Sequence, residues 1–146
     1  DLFNQAMDEA WPIATKKNIK LHYQDSQELI WIHGHSAFLH RAFINLLDNA
    51  IKYSPPYTTI FCSLDIHNNH AIVRIQDQGW GIPQEELPNI FNAFKRLHTE
   101  HSENPKGTGL GLAFVNTVIE RHRGRIEVDS KIDQGTVFSI YLPTTD

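Results

Sequence analysis

Apolar side chains recur with two different periods along this chain, and the switches between them mark its elements. From residue 2 to 16 the spacing is helical, with Leu2, Phe3, Ala6, Ala10 and Ile13 near one stripe and Pro12 disturbing the later part. Ile19 to Tyr23 alternates and predicts a strand; Leu29-Ile30-Trp31-Ile32 predicts a second short one, ended by Gly34. Ser36 is placed to N-cap a helix running to about Tyr53, where Ser54-Pro55-Pro56 stops it. Thr58 to Ile66 and Ala71 to Gln76 are β-rich and joined at His67-Asn68-Asn69-His70, which predicts a hairpin. Lys95 to Lys106 is polar and aperiodic and reads as a loop. Gly109 to Arg123 resumes helical spacing through Leu112, Val115 and Ile119, with Gly124 as a C′ glycine. Arg125 to Val128 and Thr136 to Leu142 are the final strands, turning at Asp133-Gln134-Gly135. Helices interspersed with hairpins, without regular βαβ alternation, predict an α+β two-layer sandwich in which one mixed, mostly antiparallel sheet carries about three helices on one face.

Composition narrows the class. At 146 residues the chain has the size of one domain, 1–146, with a genuine core. A net charge of −4 argues against nucleic acid or an anionic membrane as partner, so an anionic ligand must be drawn in by local geometry. The single cysteine, Cys62, excludes an internal disulfide and a cysteine-based metal site and fits a cytoplasmic location. No apolar run approaches the roughly 20 residues that span a bilayer. Asp1-Leu2-Phe3-Asn4-Gln5 is no signal peptide and reads as the middle of a longer chain.

Four segments carry candidate chemistry. Along the helix ending near Tyr53, a step of about 100° per residue puts Asn45, Asn49, Lys52 and Tyr53 on one stripe and Phe43, Leu46, Leu47, Ala50 and Ile51 on the opposite arc. Amide oxygens are hard neutral ligands for Mg²⁺ and a lysine neutralises phosphate, although the same stripe could serve as a wetted polar face. Asp77-Gln78-Gly79-Trp80-Gly81-Ile82-Pro83 follows a strand directly; a carboxylate there can accept a hydrogen bond from an exocyclic amine, and glycines let a flat ring approach the backbone. Such a turn is also common without a ligand. Phe91 and Phe94 at i, i+3 suit a core, while Lys95 and Arg96 could reach phosphates or simply stay hydrated. Lys106-Gly107-Thr108-Gly109-Leu110-Gly111-Leu112 is a glycine turn opening a helix, whose free N–H groups and positive end suit an anion. It fits neither the Walker A pattern nor the dinucleotide fingerprint.

In this order the four segments resemble the N, G1, F and G2 boxes of sensor histidine kinases, within the wider group that includes DNA gyrase, the mismatch-repair ATPases and a heat-shock chaperone. The resemblance runs over essentially the whole chain and implies an α/β sandwich that holds ATP between its helical layer and a lid. It implies that Asn49 ligates Mg²⁺ with Asn45 in support, that Lys52 contacts phosphate and that Tyr53 packs near the nucleoside. Asp77 is expected to read the adenine amine, with Gly79, Gly81 and Ile82 shaping the base pocket and Thr136 helping to read the base. Gly107, Thr108, Gly109, Leu110, Gly111 and Leu112 are expected on the phosphate side, with Phe94, Lys95 and Arg96 nearby. Hydrolytic members of the group place a glutamate one turn before the metal-binding asparagine; here that position is Asn45, which favours transfer to another nucleophile over transfer to water.

The implied reaction moves the γ-phosphoryl of Mg-ATP to a histidine on a dimerisation domain, with a response regulator downstream and a homodimeric parent. None of the nine histidines here is followed by an acidic residue, so the acceptor is expected upstream of residues 1–16, which resemble the helix after the acceptor hairpin. A degenerate nucleotide-binding module and a gyrase-type hydrolytic ATPase are the alternatives. The pairs His33/His35, His67/His70 and His98/His101 lack the further ligands a zinc site needs. There is no G-x-S-x-G motif to support a serine hydrolase.

Overall fold

The computed structural model describes residues 2–26, 30–92 and 111–145. The chain order is α1 (Leu2–Lys16), β1 (Lys20–Gln24), α2 (Ser36–Lys52), β2 (Thr59–His67), β3 (His70–Gln76), a 3₁₀ turn (Leu87–Asn89), α3 (Gly111–Arg121), β4 (Arg125–Lys131) and β5 (Gly135–Pro143). The strands form one sheet in the order β1-β2-β3-β5-β4, with β1 parallel to β2 and every other pairing antiparallel. Strand alternation turns Leu21, Ile60, Cys62, Val73, Ile75, Phe138, Ile140 and Leu142 towards the helices, where they are buried with Phe3 and Met7 of α1, Leu46 and Leu47 of α2, and Val115 and Ile119 of α3. The opposite face carries Lys20, His22, Arg125 and Glu127, which are exposed. This is the expected two-layer sandwich. Each fully buried leucine or isoleucine contributes roughly 1.5–3 kcal/mol of transfer free energy to it.

The five residues expected on the apolar arc of α2 (Phe43, Leu46, Leu47, Ala50 and Ile51) are all buried. The hairpin between β2 and β3 turns on Asn68 and Asn69, both at positive φ (50° and 60°), the left-handed pair that matches strand twist in a two-residue loop.

Four local expectations fail for identifiable reasons. Pro12 does not disturb α1: it is exposed, and the carbonyl it leaves unpaired belongs to exposed Asp8, which water can serve. The buried stripe continues through Ala10 and Ala14, while Ile13 is 51 % exposed. Residues 30–32 form no strand. Thr145 N–H, two residues past the end of β5, donates to the Trp31 carbonyl at 2.8 Å, and no ladder develops. The N-cap of α2 is His35, one residue before Ser36, and it lacks a side-chain cap. Its N–H instead donates to Nε2 of His122 at 3.0 Å, and the His122 ring fills the space where a Cβ on Gly34 would stand.

The fourth concerns the end of α3. Arg123 N–H bonds the Glu120 carbonyl and Gly124 N–H bonds the Ile119 carbonyl, a Schellman arrangement whose left-handed C′ residue is Arg123 (φ 61°), not Gly124. Gly124 is needed for a different reason: a Cβ there would stand 2.2 Å from the Tyr141 carbonyl. Neighbouring substitutions should therefore have opposite signs. Arg123→Gly relieves a left-handed side chain and is expected to stabilise by up to about 1 kcal/mol, whereas Gly124→Ala is expected to cost about 1–3 kcal/mol, both read from denaturant midpoints.

Candidate nucleotide site

One end of the sandwich gathers the C-terminal end of α2, the loop after β3 and the start of β5. The loop is fixed by its first residue. Asp77 is 6 % exposed, and its Oδ1 accepts the Gly79 N–H at 2.9 Å and the Thr136 N–H at 3.1 Å. Its own N–H donates to the Thr136 carbonyl at 2.9 Å, extending the β3–β5 ladder by one step. Both side-chain bonds fall on Oδ1, so among the described residues Oδ2 has no donor. Burial pushes the Asp77 carboxyl up to about 6, while the Gly79 and Thr136 N–H groups pull the other way. A buried carboxylate with one oxygen committed and one open is built to receive a donor.

Backbone packing accounts for two glycines of this loop. A Cβ on Gly79 would lie 2.2 Å from the Tyr53 carbonyl, and one on Gly81, at φ 77°, would lie 2.0 Å from the Lys131 carbonyl. In the fold they let the loop lie directly on α2 and on the β4–β5 hairpin, a reason for glycine separate from the room for a ring that the sequence suggests. Ile82 is buried, and its N–H donates to Ser130 Oγ at 2.8 Å. Ser130 Oγ also lies 2.7 Å from Thr136 Oγ1 and 3.1 Å from the Gly135 carbonyl, so buried Thr136 is oriented by a residue the sequence reading passed over. The signal for Ser130 is weak: a polar residue on the inward phase of a strand whose inward neighbours, Ile126 and Val128, are apolar.

On α2, Asn45 and Asn49 are half-buried, and among the described residues neither carboxamide has a hydrogen-bond partner. Lys52 shares their stripe and is paired with Asp48 at 3.1 Å, both side chains 37 % exposed. Such an i, i+4 pair contributes only about 0.3–0.5 kcal/mol, so an incoming phosphate can compete for the lysine. Tyr53 caps the helix and packs against the core. No three His, Cys, Asp or Glu side chains converge among the described residues. Two neutral amide oxygens fit Mg²⁺ arriving with phosphates better than a resident ion caged by protein.

At the start of α3, Gly111 is exposed with nothing near its missing Cβ, while Leu112 packs partly on the core. Phe91 meets Phe138 edge-on at 6.5 Å. The expectations for Phe94, Lys95, Arg96, Gly107, Thr108, Gly109 and Leu110, and with them the lid, lie outside the described residues. An apolar hollow of about 500 Å³ sits at the other end of the core, lined by Phe3, Trp31, Leu39, Phe43, Leu64 and Leu142 and by none of the residues above.

The family model described as "Histidine kinase-, DNA gyrase B-, and HSP90-like ATPase" matches residues 34–146. The chain belongs to this ATPase family. It is 33 % identical over 143 residues to the sensor histidine kinase RppB of Synechocystis sp., covering 98 % of this chain and 32 % of the relative. It is 37 % identical over 130 residues to the adaptive-response sensory kinase SasA of Gloeothece citriformis, covering 88 % and 32 %. The mycobacterial sensor histidine kinase MprB superposes with a TM-score of 0.84 at 33 % identity, covering 98 % of this chain and 93 % of that one. The chain therefore spans about a third of the length of these curated relatives. Membership makes ATP the nucleotide class this fold serves.

Two outcomes test the geometry. A methyl at position 79 meets backbone rather than a yielding side chain, so Gly79→Ala is expected to cost about 1–3 kcal/mol and to detach the loop from α2, visible as lost amide protection at Trp80. Because folding raises the Asp77 pKa from an ordinary 3.8 to about 6, the folded state holds the proton more tightly. Stability should accordingly fall as pH rises from about 4 to about 6, by an amount on the order of 3 kcal/mol, and Asp77→Asn should flatten that slope in denaturant titrations at several pH values.

Proposed function

We propose that this chain is the ATP-binding catalytic domain of a two-component sensor histidine kinase. In this reading it transfers the γ-phosphoryl of Mg-ATP to a histidine on a separate dimerisation domain. The observation that carries the reading is the pairing of a buried Asp77 with two carboxamides on the neighbouring helix, its second carboxylate oxygen and both carboxamides having no partner among the described residues. The identities with sensor histidine kinases support it as well.

Asp77 Oδ2 accepts the adenine amine, and Thr136, oriented by Ser130, lies beside it to help read the base. Asn49 holds the magnesium, Asn45 supports it, and Lys52 leaves Asp48 to meet phosphate. Magnesium, when bound, screens the charge that develops on the transferred group. Asn45 offers no basic side chain to activate water, whereas a neutral imidazole already carries the lone pair it needs. The domain's work is thus positioning and charge neutralisation. That disfavours a gyrase-type hydrolase, and the acceptor oxygen of Asp77 and the carboxamides of Asn45 and Asn49, which have no partner among the described residues, disfavour a degenerate module. By family resemblance Phe94, Lys95, Arg96 and Gly107 to Leu112 are assigned to the phosphate side, and the parent protein is assigned as a homodimer that hands the phosphoryl group to a response regulator.

The test supplies the acceptor. Joined to a histidine-bearing dimerisation domain, the chain should label that histidine from γ-labelled ATP, with little free phosphate released. Asn49→Ala should abolish transfer; undiminished labelling would remove Asn49 from the metal site. In calorimetry Asp77→Asn, which turns an amide donor towards the base amine, should weaken ATP binding by about 1–3 kcal/mol.

A further inference from the structure

The last carbonyls of α2 lie against the nucleotide loop, and the chain accounts for each one. Asn49 O takes the Tyr53 N–H at 3.1 Å, and Ala50 O takes the Ser54 hydroxyl at 2.7 Å. Tyr53 O takes the Trp80 N–H at 3.4 Å. Ile51 O and Lys52 O receive a donor from outside the helix: Lys17 Nζ reaches them at 2.8 and 3.1 Å. The same ammonium stands 5.8 Å from the centroid of the Trp80 ring. Lys17 follows α1 directly, and that turn is itself pinned. Asn18 is left-handed (φ 64°), its carbonyl takes the Tyr57 N–H at 2.8 Å, and Lys20 N–H bonds the Thr58 carbonyl at 3.1 Å.

A cation delivered to a helix C-terminus satisfies orphan carbonyls and opposes the negative end of the helix dipole. Here it does both on the two residues whose side chains are Ile51, in the core, and Lys52, on the ligand stripe. It also touches the loop on its other side through Trp80. Without it, both carbonyls would lose a charged donor, and Ile51 O would be left with the long 3.4 Å bond from Ser54 N–H. The last turn would then fray next to Gly79, whose seat is the Tyr53 carbonyl.

We propose that Lys17 is a positioning residue for nucleotide binding: its ammonium clamps the last turn of α2 to the Trp80 side of the Asp77 loop and so sets where Lys52 and Tyr53 stand relative to Asp77. This rests on the nucleotide site proposed above. It also makes the α1–β1 turn a mechanical neighbour of that site.

The test uses this chain with Trp11 and Trp31, both exposed, changed to Phe, so that Trp80 is the sole tryptophan. Lys17→Met and Lys17→Arg are compared with Lys17 in two measurements: Mg-ATP affinity by calorimetry, and Trp80 emission without nucleotide. Lys17→Met should shift the emission and weaken Mg-ATP by about ten-fold or more, the effect of losing a charged hydrogen-bond donor. Lys17→Arg, which also presents two donors, should move both back towards the parent values. A folded Lys17→Met protein with a lower melting temperature but parental affinity and emission overturns the proposal, since a purely structural lysine predicts that result. If Lys17→Met does not fold, Lys17→Gln, which removes the charge and shortens the reach, takes its place under the same criteria. If the parent chain binds no Mg-ATP, the nucleotide reading fails, and the emission alone then decides the clamp: a shift reversed by arginine supports it and an unchanged spectrum overturns it.

Discussion

The site depends on a carboxylate that is held out of water while half of its hydrogen-bonding capacity stays unused. Asp77 directly follows the central strand of the sheet, and the two N–H groups it captures, from Gly79 and Thr136, belong to the loop and to the adjacent strand. One oxygen thereby welds three pieces of backbone, and the other has no donor among the described residues. Burial makes this costly, as the raised pKa records. A protein that maximised stability would place an amide or a hydroxyl there. Retaining a carboxylate sacrifices stability for an acceptor that a ligand donor can satisfy.

Around it, the fold brings carbonyl groups and missing side chains together rather than building a cage of charges. Gly79 rests on the Tyr53 carbonyl and Gly81 on the Lys131 carbonyl, so the loop contacts both α2 and the β4–β5 hairpin with no side chain between. Among the described residues, Lys52 is already engaged by Asp48 and Lys17 by two carbonyls. Net negative charge on the whole chain gives no long-range attraction to a polyphosphate. Binding must come from short-range geometry, which is why backbone placement matters more than charge count here.

Much of this was legible in the sequence, and the limits have physical causes. The apolar arc of α2 and the alternation of β2, β3 and β5 specify which faces are buried, and the four motif segments in order specify the family. What periodicity does not carry is contact between distant segments. Lys17 reads as one of several lysines near the end of α1 and becomes distinctive only when α2 ends beside it. Ser130 reads as a strand residue until Ile82 and Thr136 converge on it. Gly124 sits where a left-handed cap is expected, yet Arg123 takes that conformation, and the glycine answers to the Tyr141 carbonyl on another element. Residues 30–32 carry a strand's composition, but strand formation needs a partner edge, and the chain meets them only at Thr145, two residues past the end of β5.

The most direct measurement of the central claim compares two nucleotides that differ at the group Asp77 is proposed to read. Inosine triphosphate presents a carbonyl where ATP presents the amine. Titrated into this chain with magnesium, ATP should bind at least about ten-fold more tightly, and Asp77→Asn should erase or invert that preference. Equal affinity of the unaltered chain for the two would contradict the account, because the open carboxylate oxygen would then be reading nothing.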